Sequence, residues 1–261
     1  MGRRIRVPEI RVTTQDDIEH AAETCRETWG LSADEPVTGL GRLLERAGVV
    51  LSRIKLESED IDAFSRFGVA SVIEVNTVKD CGSRVRFDMA HELGHGVLHR
   101  GIRTGNPETE AQADAFAGAF LLPRTQFRRE FWSAGRLDWN YLLELKRRWG
   151  TSVGTLVRRA YELDVIDAAT YRRARKHMYA QGWANGEPDE APAEQPELLE
   201  AALRALQKQT GSGVRGMAAA IHWKPTTFEA VTGLDAEALS AARPAVFSLD
   251  SYRERRQGTA G

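Results

Sequence analysis

The stretch His91-Glu92-Leu93-Gly94-His95 constrains the fold of this chain more than any other part of the sequence. Apolar residues flank it at helical spacing, which predicts a buried helix from about residue 84 to residue 99. On a helix, His91 and His95 lie one turn apart on the same face, so both imidazoles can bind one zinc ion at about 2.0–2.1 Å. Glu92 lies about 100° further round the helix. It is therefore a candidate catalytic base that accepts a proton from a zinc-activated water.

A second helix, predicted to begin at Asn106-Pro107, supplies a third ligand. A catalytic zinc needs three protein ligands and one open position. Glu110 and Asp114 share a helix face, and we assign Glu110 as the third ligand and Asp114 as the acceptor of a liganding histidine's free ring N–H. Glu108, at the helix start, is expected to interact with the helix dipole instead. His99 is the alternative third ligand, disfavoured because it lies a further turn along the helix that carries both histidines.

Composition narrows the class of protein. Hydrophobic residues make up 42% of the chain, enough for a core, and the 36 basic and 37 acidic residues nearly cancel. The charge balance therefore gives no overall reason to expect nucleic-acid binding. The two cysteines, Cys25 and Cys81, are too few for a disulfide framework. The sequence shows neither a signal peptide nor a membrane-length apolar run. We expect a cytoplasmic protein that makes no membrane contact.

Apolar periodicity, turns and prolines divide the chain into five parts. An N-terminal arm precedes a zinc metallopeptidase-like domain, a helical region, a Pro-rich linker expected to be flexible, and a C-terminal helical accessory segment. The predicted ranges are 1–14, 15–123, 124–183, 184–196 and 197–261, with terminal helices at about 197–209 and 213–222. Runs of β-branched residues predict short strands at 49–51 and 70–75. The predicted fold class is α+β and mostly α.

The helical region contains a helix-turn-helix pattern at 142–160, with the turn at Gly150. Between residues 124 and 177, 13 basic residues stand against 6 acidic ones. The basic side chains at 146–148 and 158–159 are therefore candidates for contact with DNA phosphates. Packing of these helices against the preceding domain is the alternative.

The two motifs together resemble the ImmA/IrrE group of bacterial metallopeptidases. That group is marked by H-E-x-x-H followed by E-x-x-A-x-x-F-A-x-x-x-L-x-P, which this chain matches at Glu110, Ala113, Phe116, Ala117, Leu121 and Pro123. The resemblance implies a gluzincin-like core with a small sheet and zinc endopeptidase activity. By position, it implies His91, His95 and Glu110 as the zinc ligands and Glu92 as the catalytic base.

The resemblance also implies a kind of substrate. Members of the group typically cut a helix-turn-helix transcriptional repressor, which derepresses stress-response or mobile-element genes. Many members carry a DNA-binding module before the peptidase, whereas here only about 14 residues precede the first predicted helix. We therefore expect the repressor to be a separately encoded protein.

Two other functions stay open at the level of sequence. One is a DNA-binding transcriptional regulator with a structural or sensory zinc, acting through region 124–177 or a weaker repressor-like pattern at 213–234. The other is a toxin–antitoxin-type partner protein with a zinc site. Glu92 argues against a purely structural zinc, because a closed structural site has no use for a base.

Overall fold

The computed structural model describes residues 5–54, 63–68, 71–76, 78, 81–131, 137–183 and 186–232. Within these residues the chain is α+β and mostly α, which confirms the predicted fold class. The helices are α1 Gln15–Thr28, α2 Leu40–Arg46, α3 Gly82–Leu98, α4 Pro107–Leu121, α5 Arg124–Glu130, α6 Trp139–Trp149, α7 Val153–Glu162, α8 Ala168–Ala180, α9 Leu198–Thr210, α10 Val214–Ala220 and α11 Pro225–Thr232. None of these helices is long and apolar enough to cross a membrane.

Three strands form one sheet in the order β1-β3-β2. Strands β1 (Val49–Ile54) and β3 (Ser71–Asn76) are parallel, and β2 (Ala63–Arg66) pairs antiparallel with β3 at the edge. The sequence predicts β1 and β3 but not β2. The reason is that β2 has four residues, none of them β-branched, and no face of it is fully buried.

Helices α3 and α4 cross closely, and this contact brings the two sequence motifs together. Gly94 of α3 lies against Ala113 and Phe116 of α4, where an added Cβ would meet their atoms at 3.1–3.2 Å. A larger residue here would push the two helices apart, because packed interiors leave little spare volume. Asn106 begins α4 as predicted, and its side chain accepts hydrogen bonds from two backbone N–H groups of the first turn.

Residues 186–197, called the acidic segment below, run along the start of several helices. The sequence predicts a flexible linker at 184–196, whereas three carboxylates of this segment accept hydrogen bonds from backbone N–H groups in the first turns of helices. They are Glu187 at α7, Glu190 at α3 and Glu194 at α2. A carboxylate at a helix N-terminus is stabilising, because it satisfies free N–H groups and complements the helix dipole.

The backbone of the acidic segment also touches the start of α3. A Cβ added to Gly82 would lie 2.1 Å from the carbonyl oxygen of Ala191, so only glycine allows this approach. The carboxylate of Glu194 accepts a 2.9 Å hydrogen bond from Arg86 of the same helix. Proline-rich composition prevents regular secondary structure here, but it does not prevent these long-range contacts.

The contacts within the chain divide it into two compact units, residues 1–202 and 203–261. The second unit, described as far as residue 232, has a small core of its own. That core consists of Val214, Met217, Ala218 and Phe228, with Leu203 packed on it. The sequence predicts α9 and α10 to within two residues at each end, but it does not predict α11. The five-part division of the chain stays a prediction.

Candidate metal centre

Two helices bring three potential metal ligands together. His91 Nε2 lies 3.1 Å from His95 Nε2 and 3.1 Å from Glu110 Oε2, and His95 Nε2 lies 3.4 Å from Glu110 Oε1. Tetrahedral bonds of about 2.05 Å would place zinc ligands about 3.3 Å apart. The observed spacings therefore fit a zinc ion bound by these three side chains. Glu108 is exposed at the helix start and is not part of this group.

Asp114 orients the first histidine. Its Oδ1 lies 2.8 Å from His91 Nδ1, so Nδ1 carries the proton and the lone pair of Nε2 points towards the other two ligands. Arg158 of α7 donates a 2.9 Å hydrogen bond to the second oxygen of the same carboxylate. Burial raises the pKa of Asp114, but the hydrogen bonds and charges of His91 and Arg158 outweigh it and hold the pKa below its ordinary value. Asp114 thus stays ionised beside the site.

His99 does not lie where the alternative assignment, with His99 as the third metal ligand, would require it. Its Nδ1 lies 2.9 Å from Nδ1 of His95, on the side of that ring away from Glu110, and its Nε2 lies 2.8 Å from Gln112 Oε1. A proton on His95 Nδ1 and one on His99 Nε2 satisfy both contacts and leave His95 Nε2 free for a metal. Burial and the neighbouring His91 lower the pKa of His95 to about 4, which keeps its ring neutral. Sequence spacing cannot reveal this supporting role, because Gln112 comes from another helix.

Glu92 is almost fully buried, with 6% of its surface exposed. Ser65 Oγ on the edge strand β2 donates a hydrogen bond to its Oε2. Burial raises the pKa of Glu92 above its ordinary value, although Ser65 and His91 act in the opposite direction. The sequence singles out Glu92 but not Ser65, because the strand that carries Ser65 has no recognisable pattern.

The basic residues that the sequence offers for DNA contact are engaged elsewhere. All five pair with carboxylates, and the pairs are Lys146 with Glu187 and Glu190, Arg147 with Asp189, Arg148 with Glu130, Arg158 with Asp114 and Glu162, and Arg159 with Glu19. Lys146 and Arg159 are buried, with 3% and 1% of their surfaces exposed. Arg159 packs against the preceding domain through Glu19 and Leu122, which is the alternative stated above, whereas Lys146 pairs with the acidic segment. The expectation of phosphate contact through them is wrong, because buried side chains cannot reach a duplex.

The two histidines and the carboxylate of Glu110 form a group that could hold a metal ion. Residues 44–161, which are 118 of the 261 residues, match the family model described as Peptidase M78, the IrrE N-terminal-like domain. The match confirms the resemblance seen in the sequence. Its range contains both motifs, the sheet, helices α3 to α6 and all but the last residue of α7.

Two further comparisons add little. No curated protein matches the chain. Among solved structures, a Mycobacterium tuberculosis transcriptional regulator is 21% identical over 55% of this chain and 46% of its own length, with a TM-score of 0.39. The matched part is thus less than half of that regulator. A likeness of this strength carries no argument about fold or function.

Proposed function

We propose that this chain is a zinc-dependent endopeptidase of the ImmA/IrrE type. The observation that carries the proposal is the convergence of His91 and His95 of α3 with Glu110 of α4 at tetrahedral spacing. Helix α3 also carries the buried Glu92, next to His91. Imidazole and carboxylate donors in this number suit zinc. The family match over residues 44–161 supports a metallopeptidase.

The chemistry assigned to Glu92 is general-base catalysis. Zinc bound at the site would lower the pKa of a water from about 15.7 towards about 7. Glu92 then accepts the proton of the attacking water and passes it to the amine nitrogen of the departing peptide. The hydrogen bond from Ser65 to Oε2 fixes the carboxylate and leaves Oε1 to take the proton. Burial strengthens the base, because it raises the pKa of this carboxyl group.

The proposed substrate is a protein, and more narrowly a helix-turn-helix repressor encoded separately and met in the cytoplasm. Its cleavage would derepress stress-response or mobile-element genes. The family match over residues 44–161 supports a protein substrate. The choice of a repressor rests on the resemblance to the ImmA/IrrE group.

Incubation of the full chain with the repressor encoded beside its gene tests this proposal, with fragments read by mass spectrometry. Glu92→Gln should keep its zinc while cleavage falls at least about 10²-fold, the usual scale for loss of a general base. Glu108→Gln is the matched control, because Glu108 is an exposed glutamate at the start of α4. It should cleave like wild type, and a chelator should stop both.

Two results would contradict the proposal. Cleavage by Glu92→Gln at the wild-type rate would mean that Glu92 is not the general base. A zinc-loaded wild-type chain that binds the repressor and leaves it intact would favour a partner protein of the toxin–antitoxin type.

A further inference from the structure

The second compact unit contains a pair of short helices that the metal centre does not use. Helices α10 and α11 are joined by a four-residue turn at 221–224. His222 in this turn has φ +58°, a left-handed conformation that is uncommon for a residue with a side chain. The turn is closed by hydrogen bonds from the N–H of His222 to Ala219 and from the N–H of Trp223 to Ala218. A tight turn of three or four residues with one left-handed position is the layout of a helix-turn-helix.

The packing of the two helices fixes their crossing. Ala218 has no exposed surface, and Phe228 of α11 is 4% exposed in the same small core. A methyl side chain at Ala218 allows the two helices to approach closely. Met217 and Val214 complete the buried side of α10. The sides of α10 and α11 that face away from this core therefore keep a fixed orientation relative to each other.

The first turn of α11 is open to solvent. Lys224, Pro225, Thr226 and Thr227 are all exposed. In DNA-binding helix-turn-helix proteins, the N-terminal residues of the second helix contact base edges in the major groove. Threonine hydroxyls are suitable donors and acceptors for bases, and a lysine at the helix start suits a phosphate.

The described part of this unit also differs in charge from the whole chain. Residues 203–232 contain four basic residues and one acidic residue, and the full unit 203–261 contains eight basic and five acidic residues, whereas the chain has 36 basic and 37 acidic residues. Arg215 on α10 and Lys224 at the start of α11 are both exposed. A local excess of positive charge beside an exposed second helix matches the negative charge of DNA.

We propose that α10 and α11 form a DNA-binding helix-turn-helix, with α11 as the helix that enters the major groove. Thr226 and Thr227 read base edges, and Lys224 and Arg215 contact the phosphate backbone. This function is separate from the proposed peptidase activity, and each can hold or fail without the other.

Selection by the full chain from a pool of duplexes with a randomised centre tests the proposal. The enriched duplex is then titrated by fluorescence anisotropy at several salt concentrations. The double variant Thr226→Ala/Thr227→Ala should lose about tenfold or more in affinity for the enriched duplex and little for an unselected one. Lys224→Gln should weaken both duplexes equally and lower the salt slope by about one.

Arg173→Gln is the matched control, because Arg173 is an exposed basic residue of α8 in the first unit. It should leave binding unchanged, and circular dichroism should show that all variants fold. The proposal is overturned if no duplex is enriched, or if the threonine variant keeps the full sequence preference. It is also overturned if Arg173→Gln weakens binding as much as Lys224→Gln. Variants at 224–227 that change only repressor cleavage would instead make this surface a docking site for the protein substrate.

Discussion

The helix pairs α6–α7 and α10–α11 share a layout but differ in their surroundings. Each pair has a tight turn with a left-handed residue, Gly150 at φ +64° and His222 at φ +58°. At the first turn of α7, the carboxylate of Glu187 accepts hydrogen bonds from two backbone N–H groups. At the first turn of α11, residues 224–227 are exposed. The position that contacts DNA in a helix-turn-helix is thus occupied by the protein in one pair and open in the other.

The occupied pair contacts the candidate metal centre instead. Arg158 projects from α7 to Asp114, which in turn orients His91. The neighbouring Arg159 is buried against Glu19 of α1, and it also donates a hydrogen bond to the carbonyl oxygen of Leu122 at the end of α4. The same supersecondary motif can therefore be a structural brace or a binding element, depending on what faces the second helix.

The largest effect is expected from removing the acidic segment. A chain ending at Trp183 should lose cooperative folding and zinc, whereas a chain ending at Ala202 should keep both. The shorter chain leaves Lys146 buried without a partner, which costs about 3–5 kcal/mol. It also removes the carboxylates that accept hydrogen bonds from the first turns of three helices. That loss is a large part of a typical stability of about 5–15 kcal/mol.

Thermal unfolding by circular dichroism and zinc content by atomic absorption measure both truncations. Equal melting temperatures and zinc content would show that the segment is the flexible linker that its composition predicts. Glu187 would then not stabilise the α6–α7 pair, and the first turn of α7 would not differ from that of α11 in being occupied.

Substitution of the proposed metal ligands is expected to affect zinc binding without affecting DNA binding. His91→Ala, His95→Ala and Glu110→Ala should each lower zinc affinity by more than about 100-fold, because losing a ligand costs more than the 10–100-fold that supporting residues cost. DNA binding through α10–α11 should not change. Glu108→Ala is the control, since Glu108 lies outside the ligand group. Full zinc content in Glu110→Ala together with depletion in Glu108→Ala would show that the wrong carboxylate was assigned.

A smaller effect is expected from the buried ion pair between α7 and α1. Arg159→Met leaves Glu19 buried without its partner and should lower the free energy of unfolding by about 3–5 kcal/mol. The double variant Arg159→Met/Glu19→Leu should recover much of that loss, because no charge stays buried. Urea unfolding measures both. A stable Arg159→Met variant with weakened DNA binding would mean that Arg159 contacts phosphate, contrary to its burial.

Sequence patterns predict those parts of the candidate site whose geometry follows from the spacing of residues along a single helix. The four-residue separations in His91–His95 and Glu110–Asp114 place these side chains on helix faces, and Asn106 marks where the second helix begins. Ser65 is missed because a four-residue edge strand carries no pattern, although its hydroxyl bonds to Glu92.

The acidic segment shows the other limit of sequence patterns. Glu190 and Glu194 accept hydrogen bonds from helices that lie more than 100 residues earlier in the chain. Ser83 donates to Glu190 across 107 residues of sequence, and Gly41 donates to Glu194 across 153 residues. Composition alone assigns such a segment to a linker, because proline and glycine remove secondary structure. Only the three-dimensional fold shows that its carboxylates have partners.

The smallest expected effect tests whether α7 supports the metal centre. Arg158 is about 42% exposed, so its hydrogen bond to Asp114 is partly screened by solvent. We expect Arg158→Gln to lower zinc affinity about two- to fivefold, and Asp114→Asn to lower it about 10–100-fold. Arg147→Gln is the control, because Arg147 pairs with Asp189 on the surface.

Competition with a chelator at fixed pH measures these affinities. The double variant Asp114→Asn/Arg158→Gln should bind zinc no worse than Asp114→Asn alone, because Arg158 acts on the metal only through that carboxylate. Additive losses, or an equal loss in Arg147→Gln, would mean that the arginine acts through overall charge. The α6–α7 pair would then be a brace for the fold that has no specific connection to the metal centre.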